Sequence, residues 1–211
     1  MNKPIQPTGG GCLYIISAPS GAGKTSLVNA LVSSEPGIAV SMSYTTRPIR
    51  PGEQDGVNYH FIDQPVFKDM IAKGCFLEYA QVFDHYYGTS RDAVFQELNE
   101  GMDVILEIDW QGAQQVRALV PGAIGIFILA PSLEELERRL KLRGEDRDEV
   151  IKRRMRDALS EMSHYHEYDY LVVNQDFDRA LADLRAIFRA SHLSIHRQRH
   201  TLADLLKEMM V

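Results

Sequence analysis

Residues 15–31 read IISAPSGAGKTSLVNAL, an apolar run that breaks into small residues and a proline before re-forming around Gly23-Lys24-Thr25. The run CLYIIS from Cys12 predicts a buried strand, and Gly23 to about Val32 predicts a helix. The motif therefore sits on a strand-to-helix turn. Small residues there let several backbone N–H groups converge on an anion, at a helix N-terminus whose partial charge is positive. Lys24 adds a full charge near the outer phosphates of a nucleotide, and the Thr25 hydroxyl is placed to ligate Mg²⁺. APSGAGKT meets the pattern G-x-x-x-x-G-K-[ST] except that Ala18 stands in the first glycine's place. A merely glycine-rich connection would not require a lysine and a hydroxyl at this spacing.

Outward from this turn, DVILEID, IGIFILA and YLVV are apolar runs of strand length, each followed by a helix-like segment. Strands alternating with helices predict an α/β fold, a parallel sheet flanked by helices on both faces. Between Ser41 and about Asp92 the rhythm changes. Turn residues crowd VSMSYTTRPIRPGEQDGVNYHF, and FLEYAQVFDHYYGTS alternates like exposed antiparallel strands. An inserted subdomain is expected there, with a short helix near Val66 to Lys73. The segment PSLEELERRLKLRGEDRDEVIKRRMRDAL opens with a Ser132–Glu135 capping box and breaks at Gly144 into two helices. Its charge density suggests little to bury and much to move. The tail shows helical spacing at Leu181, Leu184 and Phe188, and again at Leu202, Leu205, Leu206 and Met209, a second stripe that packs on the core or on another subunit. His192, His196 and His200 fall at i, i+4 and i+8, a spacing that a solvated helix face explains as readily as a metal site or a pH switch.

The composition bounds the class. The chain has 211 residues, 45% hydrophobic and 25% charged, with no apolar run near the roughly 20 residues that span a bilayer. A soluble globular protein is expected. Residues 1–11 carry glycines and prolines without an apolar block and are read as a flexible leader. Cys12 and Cys75 share no C-x-x-C spacing and read as reduced, which fits a cytoplasmic address. A net charge of −6 argues against binding a nucleic acid, which needs a basic footprint.

A phosphate loop leaves ATPases, GTPases and small-molecule kinases open. An N-K-x-D-like base-reading motif of a GTPase is absent. VILEIDWQG puts Glu107 and Asp109 at the end of a strand, where a carboxylate holds Mg²⁺ directly or through water, or else caps the next helix.

SYTTRPIRPGEQDGVNYHF, with FLEYAQVFDHYYGTS and EIDWQGAQQVR, resembles the bacterial type of guanylate kinase, a P-loop nucleoside monophosphate kinase, from about Leu13 to Phe188. The resemblance implies a core at 12–41, 93–138 and 159–190, a mixed α/β GMP-binding insertion at 42–92 and an arginine-bearing helical lid at 139–158. A helical extension at 191–211 follows. It implies transfer of the γ-phosphoryl group of ATP to GMP or dGMP with Mg²⁺. By resemblance Ala18, Pro19, Ser20, Gly21, Ala22, Gly23, Lys24, Thr25 and Ser26 hold ATP, with Asn174 beside the adenine; helix capping would also explain Asn174. Ser43, Arg47, Arg50, Tyr59 and Tyr87 surround the acceptor phosphate, and Glu78, Thr89 and Asp109 face the guanine. Arg139, Arg143 and Arg154 join Lys24 and Arg47 in neutralising the transferring group, while Arg138, Lys141, Lys152, Arg153 and Arg156 are expected to be solvated.

The chemistry of these positions is coherent. Two arginines three residues apart suit one phosphate. An ionised Glu78 accepts from the N1–H and exocyclic amine of guanine, whereas adenine offers N1 as an acceptor. Family members often carry aspartate at the position of Glu107, so the charge is kept on a side chain one methylene longer. Two other readings are a guanylate-kinase-like module that grips phosphorylated proteins and a P-loop kinase for another small acceptor. A homo-oligomer formed through the C-terminal extension is a further expectation.

Overall fold

The computed structural model describes residues 10–82, 84–142 and 148–210. The leader, up to residue 9, and Arg143 with Gly144 in the lid segment lie outside the described residues. The chain divides into two compact units. The first comprises residues up to Ser17, Gly37–Ile126 and Glu167–Asp169; the second comprises Ala18–Pro36, Phe127–His166 and Tyr170 onward.

Strand β1 (Leu13–Ser17) is buried along its whole length, which is why its sequence reads as an unbroken apolar run. It pairs in parallel with β7 (Asp103–Leu106), Leu13 opposite Val104 and Ile15 opposite Leu106, and β7 pairs in parallel with β2 (Ile38–Val40). With β8 (Ile124–Leu129) and β9 (Tyr170–Val173) the sheet has the order β2-β7-β1-β8-β9. The parallel α/β expectation is met. Leu13 and Ile15 enter a core with Leu77, Val94, Leu98, Val104, Leu106 and Val116, drawn partly from α3 (Arg91–Asn99) and α4 (Trp110–Leu119).

A second sheet in the first unit has the order β4-β3-β6-β5. Here β3 (Ser43–Thr45) pairs antiparallel with β6 (His85–Ser90), β6 pairs antiparallel with β5 (Phe76–Val82), and β4 (His60–Phe61) lies parallel to β3. Helix α2 (Gln64–Ala72) buries Phe67, which stacks on Phe76 and Tyr86. Gly88 lets β6 run beneath that stack, since a Cβ there would lie 2.9 Å from the Phe67 ring.

In the second unit α1 (Lys24–Ser34) packs against α7 (Phe177–His192), whose Leu181, Leu184 and Phe188 are buried as their spacing predicts. The lid segment forms α5 (Leu133–Leu142) and α6 (Asp148–Met162). Contrary to the expectation that it has little to bury, Leu136 and Leu140 form a compact cluster with Ala158. Only half of the predicted capping box forms: Ser132 Oγ accepts from Glu135 N, while the Glu135 carboxylate turns to Arg138 and Arg139. These two guanidiniums hold Glu135 at a pKa of about 2.

Beyond α7 the chain turns at Leu193 and Ser194 into α8 (Ile195–Thr201) and then α9 (Ala203–Met209). His192 and His196 therefore sit on different helices, and a single histidine face is not formed. Among the described residues no group of three or more His, Cys, Asp or Glu could hold a metal ion. Leu205, Leu206 and Met209 are exposed, so the second stripe does not pack on the core.

Candidate active site

Helix α1 begins at a glycine. Ser90, Asp109 and Asp176 cap α3, α4 and α7 with side-chain oxygens, whereas α1 starts at Gly23 with no side-chain cap and no acid in its first turn. The N–H groups of a first helical turn have no partner within the helix. A helix start of this kind suits an anion. Gly21 and Gly23 both take left-handed backbone, at φ +94° and +92°, which turns successive peptides toward one side. Ala22 is closed into the loop by its N–H, which donates to Pro19 O at 3.1 Å. Lys24 is half-buried; Thr25 and Ser26 are exposed.

The carbonyl of Ala22 is engaged by two side chains. It accepts from Asn174 Nδ2 at 2.8 Å and from Arg139 Nη1 at 3.5 Å, while Arg139 Nη2 donates to Asn174 O at 3.0 Å. Asn174 is buried, and the cap of α7 is Asp176, so helix capping is not what Asn174 does. Arg154 is half-buried on α6, and Lys152, Arg153 and Arg156 are exposed.

The first unit gathers a second group on its four-stranded sheet. Strand register sets Ser43 beside Thr89 and Thr89 beside Glu78, so three side chains on β3, β6 and β5 form one line. Thr89 Oγ1 donates to Glu78 Oε1 at 2.5 Å, and the Ser43 and Thr89 hydroxyls are 3.3 Å apart. Ser43, expected beside the acceptor phosphate, stands next to Thr89 and in line with Glu78, the two residues expected at the guanine. Glu78 is 4% exposed. Burial pushes its carboxyl up to about 7, partly offset by the Thr89 hydrogen bond and reinforced by the negative charge of Asp109. Gly112 lets α4 approach this acid, because a Cβ there would lie 2.7 Å from Glu78 Oε2. Asp109 caps α4 through Gly112 N at 2.9 Å, the capping role foreseen beside the metal one. Strand β7 ends at Leu106, leaving Glu107 and Asp109 on the turn that follows.

Arg47 is 8% exposed and held on several sides. Its Nη1 and Nη2 form a fork on Glu53 at 3.0 and 2.8 Å, Nη1 donates to Pro48 O, and its guanidinium lies 5.6 Å from the Tyr59 ring centre and 5.7 Å from that of Phe61. Tyr87 packs edge-on to Tyr59 at 6.1 Å. Arg50 contributes its backbone N–H to Glu53 at 2.9 Å, and its side chain is exposed. The Glu53 hydrogen bonds to Arg47 and Arg50 hold its carboxyl below the usual value, and burial raises the Tyr59 hydroxyl, which stays a donor. Glu53 was missed in the sequence; its only signal is an acid six residues beyond Arg47 in a turn-rich stretch.

A helix start without a side-chain cap after a buried parallel strand defines a P-loop α/β protein, to which the first unit adds a buried acid on β5 and a buried arginine just past β3. Comparison narrows the class. The family model described as guanylate kinase matches residues 11–191. A guanylate kinase of Alkalilimnicola ehrlichii is 61% identical over 200 residues, covering 95% of this chain and 98% of that protein. One of Vibrio cholerae is 56% identical over 204 residues, covering 96% and 99%. The solved structure of guanylate kinase from Anaplasma phagocytophilum superposes with a TM-score of 0.75 at 32% identity, covering 92% of this chain and 94% of that one. The chain belongs to the guanylate kinase family.

Proposed function

We propose that the protein transfers the γ-phosphoryl group of ATP to GMP or dGMP, giving ADP and GDP or dGDP. The observation that carries this is the presence, in one compact unit, of buried Glu78 on Thr89 and of buried Arg47 beside Tyr59 and Tyr87, a reader of guanine alongside a holder of phosphate. Family membership supports the same reading. A glutamate that accepts two hydrogen bonds from guanine is left unsatisfied by adenine, and sites of this kind discriminate by roughly 10⁴.

In this reading Ala18 to Ser26 wrap the phosphates of ATP, Lys24 lies along the β- and γ-oxygens, and Asn174 belongs to the ATP half. Ser43, Arg47, Arg50, Tyr59, Glu78, Tyr87, Thr89 and Asp109 hold GMP. The nucleophile is a phosphate oxygen of GMP, mostly ionised at neutral pH because its second pKa is about 6, so no protein base is required. Arg139, Arg143 and Arg154 of the lid at 139–158 neutralise charge on the transferring group, and the insertion at 42–92 orients the acceptor.

Thr25, with Glu107 and Asp109 through water, would hold Mg²⁺; these are hard oxygen donors, suited to an ion that keeps waters and substrate phosphates as ligands. Bound with ATP, it supplies positive charge to the β- and γ-oxygens. Asp109 Oδ1 accepts from Gly112 N at 2.9 Å and Oδ2 more loosely from Gln111 Nε2 at 3.5 Å, so Oδ2 is the oxygen that would take a metal-bound water.

No helix among the described residues is long and apolar enough to cross a membrane. A cytoplasmic enzyme with ATP and GMP as its partners, neither nucleic acid nor membrane, and an oligomer formed through residues 191–211 complete the proposal. A coupled ADP-release assay with GMP, dGMP, AMP, UMP and CMP tests it. Turnover with the two guanine nucleotides alone is expected, and turnover of AMP or UMP but not GMP would sink the reading.

A further inference from the structure

Asn174 is 6% exposed, and its backbone is fixed in the sheet by donation of its N–H to Leu129 O at 2.7 Å. Its side-chain amide reaches the phosphate-binding loop at one atom, the carbonyl oxygen of Ala22. A trans peptide points its C=O and N–H in opposite directions, so fixing one fixes the other. The Ala22 carbonyl is gripped by Asn174 at 2.8 Å and more loosely by Arg139 at 3.5 Å; the N–H on the other end of that peptide belongs to Gly23. Arg139 is itself steadied by Glu135 through Nε at 2.7 Å and by Asn174 O through Nη2 at 3.0 Å. The spacing is tight. A Cβ on Gly23 would collide with Asn174 Nδ2, so this left-handed glycine and the asparagine fit only each other.

We propose that Asn174 is a positioning residue for the phosphate loop: with Arg139 it holds the Ala22 carbonyl outward and thereby aims the Gly23 N–H at the phosphates of the bound donor. This rests on the ATP reading of the loop and assigns Asn174 an effect on the phosphates rather than on the base. Arg139 then couples the first lid helix to the loop through the same carbonyl. A glycine peptide with no such anchor would flip at little cost, because glycine populates both signs of φ.

The test separates phosphate from base by using Mg²⁺-tripolyphosphate, which lacks adenosine, beside ATP. Binding of both to the full chain is measured by calorimetry for the wild type, Asn174→Asp and Asn174→Ala, with GMP binding as the check on the fold. Asn174→Asp is nearly isosteric but presents an acceptor to the Ala22 carbonyl. Both variants are expected to lose about tenfold in tripolyphosphate affinity, and a similar factor for ATP, with GMP affinity within twofold of wild type. In ¹⁵N spectra of the wild type, the Gly23 amide is expected to shift on tripolyphosphate binding, and in the variants to lose that shift. Unchanged tripolyphosphate affinity with weakened ATP binding would overturn the proposal in favour of a base contact. Loss of GMP binding along with the rest would overturn it in favour of general structural support. Failure of the wild type to phosphorylate GMP would reject the assigned reaction, yet leave the dependence of tripolyphosphate binding on Asn174 measurable.

Discussion

A carboxyl buried as deeply as Glu78 meets guanine in one of two protonation states, and the difference is measurable. With its pKa raised to about 7 by burial, most of Glu78 is protonated below that pH before GMP arrives. Guanine donates two hydrogen bonds and favours the ionised form, so binding expels a proton, and affinity rises with pH toward 7 and levels off above it. Calorimetry from pH 5.5 to 8 in buffers of different ionisation enthalpy should show that proton. The GMP phosphate, with its second pKa near 6, adds its own dependence; Glu78→Gln should remove the part centred near 7 and keep the rest. The linkage also acts on stability. A folded pKa above the unfolded one means the folded chain holds the extra proton, so stability is full below the ordinary carboxylate range and falls by about 3 kcal/mol as pH rises to 7. Glu78→Gln should therefore flatten urea midpoints across that window, and an unchanged slope would place the proton elsewhere. At this scale the sequence was most legible where spacing alone carries chemistry. Gly23, Lys24 and Thr25 are contiguous, so the loop could be read directly, whereas Arg47 and Glu53 meet only because the intervening turn closes. Asn174 touches Ala22 across 152 positions, a separation that no local pattern reports.

Among the elements, the lid base was the one misread. Its residues are mostly charged, and that density hides Leu136 and Leu140, which stand four apart on one side of α5 and are 1% and 0% exposed. They do more than hold α6. A Cβ on Gly21 would lie 3.2 Å from both leucine side chains, so the same pair lies beneath the phosphate loop. Leu140→Ala should cost about 3 kcal/mol of unfolding free energy, the usual penalty of a buried leucine truncation. A loss below 1 kcal/mol in urea denaturation would mean the cluster is not packed as described. The strands of the parallel sheet were legible because burial on both faces leaves a continuous apolar signature; β2, with only Ile38, Ala39 and Val40, was too short to leave one. The antiparallel pair β5 and β6 could be recognised by alternation, but its register, which aligns Ser43, Thr89 and Glu78, is a property of three strands at once and could not.

For the molecule as a whole, acidity and the exposed tail bear on what it associates with. A net charge of −6 leaves the basic side chains to local duties, and several on α5 pair with neighbouring acids, Arg138 with Glu135 and Lys141 with Glu137 among them. The tail is different. Ile195 is 73% exposed, Met209 75% and Met210 84%, and α9 buries no residue of its own. Helices this short are marginal in isolation, so α8 and α9 would be expected to draw stability from something that covers their apolar side. A second copy of the chain is the proposed occupant, and removal of residues 194–211 leaves α7 with its C-cap Leu193 in place. Sedimentation of the full chain should give a mass that grows with concentration above that of the monomer, while the truncated chain stays monomeric and keeps its turnover of GMP. Identical monomeric behaviour of the two would dismiss the assembly, and loss of turnover in a folded truncation would show that the tail serves the site rather than a neighbour.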